Sequence, residues 1–115
     1  RGMCHITGGG LIDNVPRILN EDCTFSIKNY WKIPKIFKWI YKNSDITPLE
    51  MLKTYNCGIG FVLILDNDIY KEYSKEDLLK IYKNYRMFHI GYIIDNNGLN
   101  KGPDINYKLI EKELL

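Results

Sequence analysis

Cysteine is scarce here and poorly placed for chemistry: Cys4, Cys23 and Cys57 are odd in number, far apart, and never form a C-x-x-C pair. Such a set argues against a disulfide framework and against a cysteine zinc site, and it suits a reducing compartment. No run approaches the roughly 18 apolar residues that a membrane helix needs, and no basic-then-apolar leader precedes a small-residue cleavage site. A cytoplasmic protein with no membrane partner is expected. An excess of one charge is also missing, since 16 Lys and Arg nearly cancel 14 Asp and Glu to leave a formal +2. Nothing global therefore favours nucleic acid, and a small-molecule role stays open. Internal repeats, low-complexity linkers, the Walker loop and the G-x-G-x-x-G fingerprint are all absent from the sequence.

What remains is the length and apolar content of one domain, 115 residues of which 45% are hydrophobic. The chain opens at Arg1 rather than Met with residues already patterned as structure, so a preceding segment is expected. Gly2 to Thr7 reads as a strand entering the permissive turn Gly8-Gly9-Gly10. A short helix is predicted from Asn14 as cap, through Pro16 in its first turn, to about Leu19. Thr24 to Lys28 alternates as a strand, and Ile33, Ile36, Phe37, Ile40 and Tyr41 mark one face of a helix with Pro34 in its first turn.

Thr47-Pro48-Leu49-Glu50 is a capping signature for a helix ending near Tyr55. The run Gly58 to Leu65, bounded by Asp66-Asn67-Asp68, fits a central strand covered on both faces. Ser74 caps a further helix carrying Leu78, Leu79, Ile81 and Tyr82. Met87 to Ile94 is strand-like, Asn96-Asn97-Gly98 is a turn, Tyr107 to Ile110 could pair as a last strand, and Glu111 to Leu115 is helix or fraying tail. The fold class is α/β, with a mixed β-sheet of about four or five strands and helices packed on it.

Three glycines after a strand can turn several N–H groups toward one point and hold a phosphate, or can serve only as a tight turn. Asn14 and Arg17 follow closely, and an amide with an arginine fork could complete a phosphate pocket; their plain roles are helix cap and surface charge. His5 could touch substrate or act as general acid or base, or be a satisfied core residue. His89 has no acidic or cysteine neighbour at ligand spacing and reads as structural; neither histidine supports a metal. Asn56-Cys57-Gly58-Ile59-Gly60 could let the backbone approach a ligand or merely end a helix, and Cys57 has no nearby base to make it a nucleophile.

Taken in order, His5-Ile6-Thr7-Gly8-Gly9-Gly10-Leu11, Asn14-Val15-Pro16-Arg17-Ile18-Leu19, Trp31 with Pro34 and Phe37, Glu50-Met51, and Thr54-Tyr55-Asn56-Cys57-Gly58-Ile59-Gly60 form a specific set. The sequence resembles the C-terminal half of the aminoimidazole ribonucleotide synthetase family, the phosphoribosylformylglycinamidine cyclo-ligases, from about Arg1 to Ile90-Gly91. Other ATP-using relatives, such as selenophosphate synthetase or thiamine monophosphate kinase, fit the Asn-x-Pro-Arg and Asn-Cys-Gly elements less well.

The resemblance implies a C-terminal domain of the superfamily, truncated at its N-terminus. Residues 1–115 would be part of that domain, with the N-terminal ATP-binding and dimerisation domain absent. It implies conversion of formylglycinamidine ribonucleotide to aminoimidazole ribonucleotide with ATP and Mg2+ by a full-length homodimer. The isolated chain, binding neither cofactor alone, is expected to be inactive. By position, Thr7, Gly8, Gly9, Gly10, Asn14, Arg17, Asn56 and Gly58 would contact substrate or phosphate, and His5 would contact substrate at a catalytic position. A different class of function, a non-catalytic phosphate-binding or dimer-forming module, predicts binding without turnover.

Overall fold

The computed structural model describes residues 2–97 and 102–115. In chain order the elements are β1 (Gly2–His5), α1 (Gly10–Asn14), a 3-10 turn (Pro16–Ile18), β2 (Cys23–Ile27), α2 (Lys35–Lys42) and α3 (Pro48–Thr54), followed by β3 (Phe61–Ile64), α4 (Asn67–Glu72), α5 (Lys75–Tyr85), β4 (Gly91–Asp95) and α6 (Tyr107–Leu114). The α/β class is as the patterning predicts. The strands, however, divide into two antiparallel pairs, β1 with β3 and β2 with β4. Mixed character enters where Ser26 of β2 makes an isolated parallel bridge to Asp104.

Two capping signatures form as the sequence predicts. Thr47 Oγ1 accepts from the Glu50 amide at 3.2 Å while the Thr47 amide donates to Glu50 Oε2 at 3.3 Å, closing a capping box on α3. Ser74 Oγ accepts from the Asp77 amide at 3.1 Å and starts α5. One side of the molecule is built where α1 packs on α3 and where α2 and α3 pack on α6. Met51, Leu52, Cys57 and Leu114 are fully buried there, with Leu11, Ile33 and Ile110 at 1% exposure. Each such aliphatic side chain contributes about 1.5–3 kcal/mol on burial. The Trp31 indole donates to the Cys57 carbonyl at 2.9 Å, so its one polar atom is satisfied inside this core.

Several expectations are corrected. The first helix starts at Gly10 and Asn14 ends it rather than capping its start; Pro16, which has no N–H to donate to the i−4 carbonyl, breaks the helix there and opens the 3-10 turn instead. Tyr107 to Ile110 is helical, not a strand, because Asn106 Oδ1 accepts from the Lys108 and Leu109 amides and Tyr107, Ile110 and Leu114 share a helical face on the core. An unexpected helix, α4, follows β3, since Asp66 accepts from the Asp68 amide and caps it.

The later strand narrows to Gly91–Asp95, and the Ile90 carbonyl before it accepts from Lys28 and Asn29 instead. The run from Gly58 yields a strand only over Phe61–Ile64, because Cys57 and Gly58 sit at positive φ of 49° and 98° and turn the chain first. That strand has β1 as its sole partner among the described residues, with Phe61 and Leu63 exposed, so it is not central. Asn96 and Asn97 follow β4 as expected of a turn, while Gly98 lies outside the described residues, as does Arg1.

Candidate functional site

β1 runs into the glycine loop, and the loop is shaped by one buried side chain. Asn14 is 4% exposed, and its Nδ2 donates to the carbonyls of Thr7 at 3.2 Å, Gly8 at 3.2 Å and Gly10 at 2.8 Å. Its Oδ1 accepts from Thr7 Oγ1 at 3.0 Å. The amide of Gly10 donates to the Thr7 carbonyl at 3.0 Å, closing the turn. With these carbonyls drawn inward, the amides of Gly8 and Gly9 donate to no backbone or side-chain acceptor among the described residues. Amides without a protein acceptor on an exposed loop are available to water or to an anion.

The three glycines differ in what they require. At Gly10, φ is +61° and an added Cβ would lie 1.8 Å from the Leu52 carbonyl oxygen and 3.0 Å from that of Tyr55. The residue is glycine because the loop lies flat against the end of α3. Gly9 is at φ +98°, and its missing Cβ would stand 2.9 Å from Asp13 Oδ2. Gly8 has a φ outside the left-handed region and nothing within 4 Å of an added Cβ, so no packing in this chain demands a glycine there. Asp13, unforeseen from the sequence, is the carboxylate beside the loop, and its spacing of four residues from Gly9 was the available signal.

Asn56 and Gly58 form a second turn beside the first. The Gly58 amide donates to Asn56 Oδ1 at 2.8 Å, and an added Cβ at Gly58 would meet Pro34 Cδ at 2.6 Å. The Tyr55 carbonyl against Gly10 brings this turn next to the glycine loop. Thr7 to Gly10, Asn14 and the Tyr55-Asn56 segment are thus brought together. His5 and Arg17 are not brought to one point: the 3-10 turn packs Ile18 on Gly2, on the Cys4 face of β1, while His5 faces the other way and stacks on Phe61 at 6.4 Å. Arg17 is exposed and makes no ion pair or side-chain hydrogen bond among the described residues, although its charge is felt by the Cys4 thiol.

Burial pushes the Cys57 thiol from 9.0 up to about 12. Its folded pKa stands above the unfolded one, so the stability it carries is complete below pH 9 and is lost as pH rises toward 12. Burial also raises the Cys4 thiol, with the Arg17 charge opposing in part. Iodoacetamide at pH 8 is therefore expected to alkylate the half-buried Cys23 at least about a hundredfold faster than Cys57, read by peptide mass spectrometry. Equal rates would place Cys57 in a far more open setting than the one described.

His89 lies in a network apart from the loop. Its Nε2 donates to the Gly91 carbonyl at 3.2 Å, because a carbonyl only accepts. In the neutral ring Nδ1 then accepts from the Tyr70 hydroxyl at 3.2 Å, and Tyr70 meets the Tyr82 hydroxyl at 3.4 Å. Desolvation, then the hydrogen bond to Tyr70, raises Tyr82 to about 12. No group of three His, Cys, Asp or Glu side chains able to hold a metal ion occurs among the described residues. The carboxylate beside the loop is Asp13, and Mg2+ is commonly held by one or two such groups together with substrate phosphates and water. No helix among the described residues is long and apolar enough to cross a membrane.

The family described as AIR synthase related protein, C-terminal domain, matches residues 1–100. The phosphoribosylformylglycinamidine cyclo-ligase of Carboxydothermus hydrogenoformans is 46% identical over 95 residues, covering 81% of this chain and 26% of that protein. The one from Thermoanaerobacter sp. (strain X514) is 43% identical over 100 residues, covering 85% of this chain and 29% of its own length. The one from Pseudothermotoga lettingae is 53% identical over 68 residues, covering 58% of this chain and 20% of its own. The chain thus spans less than a third of these relatives, and the residues matched by the family model include the glycine loop, its Asn14 clamp and the Asn-Cys-Gly turn. With most of its length matched, the chain belongs to the family of AIR synthase related proteins, as part of the C-terminal domain.

Proposed function

We propose that the chain is the C-terminal part of a cytoplasmic phosphoribosylformylglycinamidine cyclo-ligase of purine biosynthesis, and that its glycine loop holds a phosphate of substrate or product. The complete enzyme, a homodimer using ATP and Mg2+, transfers the terminal phosphoryl group of ATP to the formyl amide oxygen of formylglycinamidine ribonucleotide and releases ADP. An internal nitrogen then attacks the activated carbon, phosphate leaves, and the imidazole ring of aminoimidazole ribonucleotide is closed. This chemistry needs anionic oxygens held still and two reacting atoms kept together.

The observation that carries the reading is the pair of unbonded amides at Gly8 and Gly9 on a loop whose carbonyls are tied back by Asn14. The relatives of the same name support it. In this reading Thr7 to Gly10 form the cradle, Asn14 shapes it without touching the ligand, and Asn56 with Gly58 hold the neighbouring turn against it. Arg17 and His5 contact substrate only where the rest of the enzyme brings substrate to them. The isolated chain closes no ring, since the parts that bind ATP lie elsewhere.

Gly8→Ala separates ligand from fold. The added methyl meets nothing in the chain, so the melting temperature is expected to stay within about 2 °C. In a longer protein that contains the chain, the methyl stands where the phosphate approaches, and KM for formylglycinamidine ribonucleotide should rise at least about tenfold. Unchanged KM would remove the loop from the site. Phosphate binding without ring closure in that longer protein would instead favour the non-catalytic module.

A further inference from the structure

Residues 104–114 lie beyond the stretch matched by the family, yet they tie the β2–β4 ladder to the helical side of the fold. Asp104 fastens the start of this strap to β2: its amide donates to the Phe25 carbonyl at 2.9 Å, and its carbonyl accepts from the Ile27 amide at 3.0 Å. Its Oδ2 accepts from Ser26 Oγ at 2.8 Å and from Lys28 Nζ at 2.9 Å. Two residues on, the Asn106 amide donates to the Tyr30 hydroxyl at 3.0 Å, and the Asn106 side chain caps α6. From this fixed start α6 packs on α2 and α3. Ile110 is 1% exposed and Leu114 0%, so residues outside the family match supply part of the same core as Met51 and Leu52.

Met51 and Leu52 are the buried residues of α3, and they lead to the glycine loop. α3 has seven residues, about two turns. A helix so short holds its place through packing rather than through its own hydrogen bonds. The Leu52 carbonyl oxygen lies against the bare Gly10, and α1 packs on the same helix. A contiguous stack therefore runs from α6 through α3 to the loop, and close-packed members of such a stack do not yield separately. We propose that α6 is a positioning element for the glycine loop, with Ile110 and Leu114 holding α3 where its backbone meets Gly10. What the positioned loop does for a ligand rests on the phosphate reading given above. On that reading α6 sets the affinity of the loop without touching the phosphate, and it does so from residues that the family match does not include.

Amide hydrogen exchange on the intact chain, resolved by NMR, tests the coupling. Ile110→Val trims α6 where it is buried, and Ile27→Val trims β2, which pairs with β4 in the other ladder. A small amount of urea brings the two variants to equal stability, so that opening of the whole molecule contributes equally to both. The reporters are the Gly10 amide, which donates to the Thr7 carbonyl, and the Tyr55 amide, which donates to the Met51 carbonyl at the end of α3. Both are expected to exchange at least about fivefold faster in Ile110→Val than in Ile27→Val. Equal exchange at matched stability overturns the proposal, since the loop would then open only with the fold as a whole. Where Ile110→Val shows no cooperative urea transition, Leu114→Met, which nearly conserves volume, is held to the same criterion. Inorganic phosphate titrated against the Gly8 and Gly9 amides of the parent chain tests the ligand separately. Shifts at those amides with equal exchange keep the phosphate and overturn the positioning. Faster Gly10 exchange without such shifts keeps the positioning and sinks phosphate binding by the loop of this chain. With both present, the phosphate dissociation constant is expected to rise at least about threefold in Ile110→Val over Ile27→Val, and an unchanged constant overturns the control of affinity by α6.

Discussion

Gly10→Ala is expected to destabilise the chain by about 3–5 kcal/mol, a large part of the stability of a domain this size. Two effects add at this position. A φ of +61° is unfavourable for any side chain, and the new Cβ would stand 1.8 Å from the Leu52 carbonyl oxygen. That oxygen is backbone near the end of α3, whose Met51 and Leu52 are fully buried, so it cannot yield without opening the core. Urea denaturation followed by circular dichroism measures the loss, and a variant within 1 kcal/mol of the parent, as an order of magnitude from ordinary surface changes, would show that α1 does not lie on α3 this closely. Gly8→Ala, two residues away and free of contacts, is the natural control.

Asn14→Asp should cost about 2–4 kcal/mol at neutral pH although the side chains are nearly the same shape. An ionised carboxylate would replace an amide that donates to three carbonyl oxygens, and oxygen would face oxygen in a buried place. The new carboxyl would hold its proton more tightly folded than unfolded, so its folded pKa lies above the unfolded value of about 3.9. Between those two values the folded state binds more protons, and stability must fall as pH rises. Titrating stability from about pH 3.5 upward should show that decline for Asn14→Asp and none for Asn14→Ala beyond the parent's own. Parallel curves for the two variants would mean that Asn14 does not clamp the loop through its donors.

Much of the local structure was legible because it depends on neighbours in the chain. The Thr47 to Glu50 capping box and the Ser74 cap are made by residues three apart, and both formed. The glycine loop was legible as a loop after a strand, since three glycines admit turns that other residues resist. The role of Asn14 was not, because an asparagine before Val-Pro is equally suited to start a helix or, as here, to reach back over its own short helix to the loop. Tyr107 to Ile110 carried a strand-compatible run, and the choice of helix came from the Asn106 cap and from the core side chains that Ile110 and Leu114 meet.

By itself the sequence determined the α/β class, the positions of the caps and turns, and the ordered motifs that mark the family. These rest on short-range hydrogen bonds, backbone freedom and residue periodicity, which neighbours settle among themselves. Only the tertiary structure decided that the four strands among the described residues pair as two separate ladders, that Gly10 must be bare because the α3 backbone lies against it, and that the apolar run after Gly60 leaves one face open. Those features depend on which distant segments meet, since β1 and β3 pair across more than fifty intervening residues, and no local pattern records a partner so far along the chain.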